Sequence, residues 1–165
     1  NIISDGNKIK TNFNKFSIIY TPGHTLDHVV LCDHENNLLF VGDVLFRLGC
    51  GRVFEGTLEQ MQNSLLQLYT LADKMLVYCG HEYTLNNLKF LEHVFKKNKT
   101  LESVKQIVIS ELNSKSSSIP FYLGDEKKCN PFLNQNCEMA LELRSKNNYS
   151  DFEFFKYLRQ EKDSF

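Results

Sequence analysis

No stretch of this sequence stays apolar over the length needed to span a bilayer, which excludes a membrane-crossing helix and any membrane partner of that kind. No basic field is present either: 19 Lys and Arg stand against 20 Asp and Glu, for a net charge of -1. Bulk nucleic-acid binding is therefore not expected. The five cysteines (Cys32, Cys50, Cys79, Cys129, Cys137) are odd in number and form no Cys-x-x-Cys pair. That argues against a disulfide framework and a thiolate zinc site, and for a reducing, cytoplasmic compartment. There is no Gly-x-Ser-x-Gly elbow for a serine hydrolase. There is no internal repeat, and the Asn and Lys richness suggests no function. No Met precedes Asn1 and no signal-peptide pattern follows it. The chain is thus expected to be processed, a fragment or trimmed, which leaves organelle targeting open. What remains is a globular chain, 42% hydrophobic over 165 residues, long enough for one full domain or two small ones.

Short apolar runs rich in branched and aromatic residues read as strands: Phe16 to Tyr20, Val29 to Cys32, Leu38 to Val41 and Met75 to Tyr78. Asn36-Asn37 predicts a hairpin turn, and Asp5-Gly6-Asn7 predicts another between Ile2-Ile3 and Lys8 to Lys10. Thr57-Leu58-Glu59-Gln60 is a capping box, followed by Met61, Leu65, Leu68 and Leu71 at helical spacing. Thr84 and Thr100 are candidate caps of two further helices. Ser114 to Ser118 and Ile119-Pro120 read as a loop, and Asn130-Pro131 starts a turn. Cys137 to Ser145 reads as helix, and the capping box Ser150 to Glu153 opens a last helix through about Glu161. Strands and one helix thus fill the first half, and helices alone the second. The pattern predicts an α+β chain with domains 1–83 and 84–165.

Three motifs stand in order: Thr21-Pro22-Gly23-His24-Thr25-Leu26-Asp27-His28, Gly42-Asp43 and Gly80-His81-Glu82-Tyr83. His24, Asp43 and His81 offer imidazole nitrogen and carboxylate oxygen, which suit zinc and also iron or manganese. Each follows an apolar run, where a sheet presents site residues. Singly, His24 reads equally as a turn histidine and Asp43 as a turn aspartate. The recurrence at three strand-to-loop junctions favours metal.

Gly49-Cys50-Gly51-Arg52-Val53-Phe54-Glu55-Gly56 is a loop whose backbone can approach a ligand, but it lacks the order of a nucleotide loop. Arg52 is a candidate carboxylate clamp or a plain surface residue. Lys156, Arg159 and Lys162 form a basic stripe on the last helix, which by spacing alone reads as solvated surface. Cys50 and Cys79 stand beside these motifs, but nothing in the sequence lowers a thiol pKa there, and buried thiols are the expectation.

Together the motifs resemble the metallo-β-lactamase superfamily. The longer strings narrow the match: Gly42 to Phe46, Gly49 to Gly56, Gly80 to Thr84, Asn87 to Phe90, Asn130 to Phe132 and Arg159 to Asp163 are similar to the glyoxalase II, or hydroxyacylglutathione hydrolase, family. The resemblance runs from about Phe16 to Phe165. It implies part of an αββα sandwich followed by a small all-helical, glutathione-binding domain. It implies His24 and His81 as ligands of two divalent metals, zinc first, with Asp43 bridging both and acting in catalysis. His28 matches a supporting histidine. Arg52, Phe54, Tyr83, Arg159 and Lys162 match the positions that hold glutathione, though Phe54 stands where the family often has Tyr. The implied reaction is hydrolysis of S-D-lactoylglutathione and other S-2-hydroxyacylglutathiones in methylglyoxal detoxification, by hydroxide generated at the metals.

One element of the family pattern is absent. Its Thr-His-x-His-x-Asp-His motif supplies further ligands and does not occur here. The chain thus resembles the C-terminal part of the family, with fewer metals than two, or none, expected on it alone. Two other readings stay open: a mono-iron persulfide dioxygenase of the same fold, and a non-catalytic glutathione-binding module.

Overall fold

The computed structural model describes residues 6–96 and 98–165. The proposed strand Ile2-Ile3 and the start of its turn at Asp5 lie outside the described residues. The chain runs through β1 (Lys8–Lys10), β2 (Lys15–Tyr20), β3 (Val29–Asp33) and β4 (Leu38–Gly42), each antiparallel to the one before. A separate ribbon follows, β5 (Leu45–Phe46) paired with β6 (Gly49–Cys50). Helix α1 (Leu58–Tyr69) then carries the chain back to β7 (Leu76–Cys79), parallel to β4. Next come α2 (Thr84–Val94), α3 (Lys99–Lys115), β8 (Phe121–Tyr122), α4 (Leu123–Cys129), α5 (Glu138–Asn147) and α6 (Asp151–Ser164). The main sheet has the order β1-β2-β3-β4-β7-β8.

This topology places the site. β4 is antiparallel to β3, which is antiparallel to β2, so β2 and β4 run the same way. The crossover through α1 makes β7 run that way too, with Gly42 in register with Cys79. The loops after β2, β4 and β7 therefore leave from one edge of the sheet. Those loops carry His24, Asp43 and His81.

Strand alternation sorts the sheet into two faces. Val30, Cys32, Leu39, Val41 and Val77 are fully buried and share one core with Met61, Leu65 and Leu68 of α1. On the opposite face Phe16 meets Phe40 edge-on at 5.8 Å, and Phe40 stacks on Tyr78 at 5.0 Å. Phe40 is still 36% exposed there. Among the described residues this aromatic row is only partly covered.

The capping boxes form as the spacing predicts. Thr57 accepts from the Gln60 N–H and Gln60 Oε1 accepts from the Thr57 N–H; Ser150 and Glu153 repeat the exchange at α6. The other two caps differ. Thr84 is buried and spends its hydroxyl on Ser118 Oγ at 2.7 Å, so α2 has no side-chain cap. Asn98, not Thr100, caps α3 by accepting the Leu101 N–H at 3.0 Å. α3 also runs on to Lys115, and the chain leaves it through Ser116 at φ 60°. The second half is not wholly helical: Phe121–Tyr122 returns to the sheet as β8 beside β7. Two residues are too short a run to announce a strand in sequence.

Helix α4 clasps the β5–β6 ribbon. Buried Glu126 Oε2 accepts from the Leu48 N–H at 2.7 Å and from Asn130 Nδ2 at 2.9 Å. Asn130 Nδ2 also donates to the Gly49 carbonyl at 3.1 Å, and Asn87 Nδ2 donates to the Arg47 carbonyl at 2.8 Å. Burial raises the Glu126 carboxyl to about 7, against the opposing pull of the Leu48 N–H. These bonds satisfy the backbone of a turn whose apex, Leu48, has φ 59°.

Candidate metal and substrate site

His24, Asp43 and His81 meet although they come from three separate loops. His24 Nε2 lies 3.5 Å from Asp43 Oδ2, and His81 Nε2 lies 3.7 Å from Asp43 Oδ1. The three do not close on a single point: among the described residues no group of three or more His, Cys, Asp and Glu side chains could hold a metal ion by itself. The arrangement is two pairs sharing one carboxylate, one oxygen each.

The chemistry of the pairs fits a cation. His24 Nδ1 lies 2.8 Å from the Arg52 carbonyl, so Nδ1 must be the N–H. In the neutral ring, Nε2 then turns a lone pair toward Asp43 Oδ2. Two acceptors facing each other repel unless a cation lies between them. Asp43 Oδ1 is buried and has no hydrogen-bond partner. Adjacent ligands on a tetrahedral zinc with bonds of ~2.0–2.1 Å lie about 3.4 Å apart, close to both measured separations.

Backbone geometry fixes the carboxylate. Gly42 has φ 49°, and a Cβ there would come within 2.8 Å of His28 Nε2. A Cβ on Gly80 would strike Asp43 Oδ1. His28 Nε2 accepts the Asp43 N–H at 3.2 Å, and His28 Nδ1 meets Thr21 Oγ1 at 2.8 Å. Burial, then the nearby His24, pull the His28 pKa below its usual value. His28 thus supports Asp43 from beneath and offers its nitrogens to the protein.

A cavity of about 450 Å³ opens from this point, lined by His24, Asp43 and His81 together with Arg52, Phe54, Tyr83, Arg159 and Lys162. Every residue singled out in the sequence for metal or substrate therefore lies on one wall system. Phe54 lies 5.1 Å from the His24 ring, and Tyr83 stacks on His81 at 4.9 Å. Lys162 is held over the rings of Phe90 and Phe132, at 5.2 and 5.7 Å, and its Nζ donates to Asn87 Oδ1. Burial lowers the Lys162 pKa to about 8. Arg159 is 3% exposed. It donates to the Cys50 carbonyl at 3.1 Å and to Asp163 Oδ1 at 3.0 Å. Arg52 reaches the same Asp163 oxygen at 3.1 Å.

Phe46, Cys50 and Asn87 also line the cavity and received no role from the sequence. The findable signal was for Asn87, which sits one helical turn after Tyr83 and donates its N–H to the Tyr83 carbonyl at 2.9 Å. Burial raises the Cys50 thiol and pushes Cys79 up to about 11, so neither is an activated nucleophile. No helix among the described residues is long and apolar enough to cross a membrane.

This fold and site define a class. The chain aligns with the crystal structure of ETHE1 from Myxococcus xanthus at a TM-score of 0.55 and 23% identity, over 96% of this chain and 57% of that one. It aligns with the BLEG-1 B3 metallo-beta-lactamase at 0.54 and 21%, over 80% and 47%. Residues 5–81 match the metallo-beta-lactamase superfamily model, and that superfamily implies divalent metal binding. Residues 82–165 match the model of the hydroxyacylglutathione hydrolase C-terminus, and the chain belongs to the hydroxyacylglutathione hydrolase family. It is 44% identical to the hydroxyacylglutathione hydrolase of Bartonella tribocorum over 145 residues, 88% of this chain and 57% of that protein. It is 46% identical to that of Serratia proteamaculans over 132 residues, 80% and 52%. The chain thus spans little more than half the length of these relatives.

Proposed function

We propose that this chain carries the bridging carboxylate and the glutathione grip of a thioester hydrolase for S-2-hydroxyacylglutathiones, S-D-lactoylglutathione foremost. The observation that carries this reading is the one cavity lined by His24, Asp43 and His81 together with the cations Arg52, Arg159 and Lys162. A glutathione thioester has the matching polarity, a carbonyl to be hydrolysed at one end and free carboxylates at the other.

His24 and His81 would each hold one of two divalent metals, zinc first, with Asp43 bridging. The bound metals supply a Lewis acid and a water acidic enough to ionise near neutral pH. Asp43 orients that centre through its two oxygens. Phe54 and Tyr83 wall the reacting end and exclude water beside the imidazoles. Lys162, a half-buried cation faced by rings and an amide oxygen, gains most from a carboxylate arriving beside it. Arg52 adds a charge at the rim, and Arg159 offers its unpartnered Nε. The leaving thiolate, with a pKa near ~8.5 by analogy with cysteine, needs no dedicated acid. Division of labour follows the chain: residues 1–83 hold the metal end and 84–165 most of the grip.

Two four-coordinate ions need more than three side chains, so a working centre takes ligands beyond His24, Asp43 and His81. The test measures metal content, binding of an S-alkylglutathione and hydrolysis of S-D-lactoylglutathione on the 165-residue chain. Glutathione binding with fewer than two metals and negligible turnover is expected. Absence of both glutathione and metal binding overturns the reading. Glutathione binding wholly independent of Asp43 and of metal points to a non-catalytic module instead.

A further inference from the structure

A continuous path of hydrogen bonds links the last helix to His24. Arg159 Nη1 donates to the carbonyls of Cys50 at 3.1 Å and Gly51 at 3.4 Å, and Nη2 donates to Asp163 at 3.0 Å. The next carbonyl along, that of Arg52, accepts from His24 Nδ1 at 2.8 Å. Three successive carbonyls are thus engaged, two by Arg159 and one by His24. The segment has little slack. The Gly51 N–H bonds the Val44 carbonyl at 3.3 Å, and a Cβ on Gly51 would collide with the Asp43 carbonyl. Asp163 braces the arrangement from both sides, accepting from Arg159 and from Arg52 Nε at 3.1 Å.

A guanidinium serving only a substrate would leave its fork open. The fork of Arg159 is turned onto the protein's own backbone, where only a planar, multi-donor cation can hold two carbonyls and a carboxylate at once. The backbone of His24 is tied elsewhere, its carbonyl accepting from the Phe54 and Glu55 N–H groups at 3.2 and 3.4 Å. Those bonds do not set the ring. Its tautomer is set by the Arg52 carbonyl.

We propose that Arg159, braced by Asp163, is a positioning residue for His24: by fixing the Cys50 and Gly51 carbonyls it holds the adjoining Arg52 carbonyl in place, which locks the imidazole as the Nδ1–H tautomer and aims Nε2 at Asp43. The proposal uses the reading above only in treating His24 as a metal ligand. Outer-shell partners of this kind orient a ligand and raise its affinity for the ion.

Long-range proton–nitrogen spectra of the metal-free chain read the tautomers of His24, His28 and His81 separately. Arg159→Lys keeps the charge but has one nitrogen in place of two, so it cannot hold the carbonyl pair and Asp163 in the fork geometry, and Asp163→Asn weakens the brace while leaving Arg159 in place. In both, His24 is expected to relax to a mixture of tautomers while His28, bonded to Thr21 and Asp43, keeps its wild-type signals and reports the intact fold. Zinc affinity of the holoprotein, by chelator competition, should fall about tenfold or more in Arg159→Lys. A folded Arg159→Lys chain with His24 still locked as Nδ1–H overturns the proposal. So does weakened glutathione binding with zinc affinity unchanged, because that is the signature of a pure substrate contact. Failure of the wild-type chain to bind both zinc and glutathione would sink the functional reading instead, and the metal-free tautomer result would still judge this proposal.

Discussion

At one end of the cavity His24, Asp43 and His81 stand on loops that follow three parallel-running strands, and backbone bonds hold them. On the α6 side of the same cavity stand Arg159, buried, and Lys162, half-buried, both packed against aromatic rings. The first end gathers acceptors, which wait for a cation. The second gathers cations, which wait for an anion. Strand ends suit the first task because parallel strands deliver their loops side by side at no cost in burial. A buried helix face suits the second because desolvation sharpens the attraction of a cation for a carboxylate. With a net protein charge of only -1, attraction for a charged ligand comes from these local groups and not from a global field.

The largest test of this contrast is removal of the shared carboxylate. Asp43→Ala should weaken metal binding by the chain more than ~100-fold, beyond what outer-shell changes cost. Metal analysis and chelator competition check it; unchanged metal content would break the contrast at its first end.

Lys162→Gln attacks the other end. Loss of a charged hydrogen bond of about 1.5–3 kcal/mol should raise the Kd for glutathione about 10- to 100-fold. The wild-type affinity should be greatest below about 8, where Lys162 carries its proton, and decline as pH rises through that value. In Lys162→Gln that decline should vanish, as calorimetric titration at several pH values would reveal.

Glu126 tests the seam between the two ends. Its carboxyl is raised from 4.5 to about 7, so its contribution to stability is fully present below 4.5 and is lost as pH rises through about 7. Denaturant unfolding should follow that slope in the wild type and flatten in Glu126→Gln. Glu126→Ala leaves the Leu48 N–H without its acceptor and should cost about 1–3 kcal/mol.

The smallest effect is expected at the rim. The Arg52 side chain is 54% exposed and its ion pair with Asp163 is screened by water. Arg52→Ala should raise the Kd for glutathione only a few-fold, with metal affinity nearly unchanged. A large fall in metal affinity would mean that the Arg52 side chain acts on the metal end and not merely on the substrate.

Much of this protein was legible wherever the cause is local. Capping boxes close over three residues, so Thr57 and Ser150 mark α1 and α6 from sequence. The apolar runs Val29 to Cys32 and Leu38 to Val41 mark buried strands in the same way. The three motifs mark strand ends, and the family resemblance supplied their roles and those of Phe54 and Tyr83. Thr84 and Thr100 misled because each lies just inside its helix: Tyr83 takes the cap position of α2 while Thr84 bonds Ser118, and Asn98, two residues before Thr100, caps α3.

The sequence by itself thus determined the elements, the sheet-edge placement of His24, Asp43 and His81, and the charges available at each end of the chain. Only the tertiary structure decided that Arg159, which by spacing alone looked like solvated surface, is buried against the Cys50 carbonyl 109 positions away. It alone brought β8 into the sheet, turned α4 into a clasp and gave Asp163 its place between two arginines. The physical reason is range. Propensity and capping act within a few residues, whereas the desolvation of a charge and the pairing of a carbonyl depend on what the whole chain packs around them.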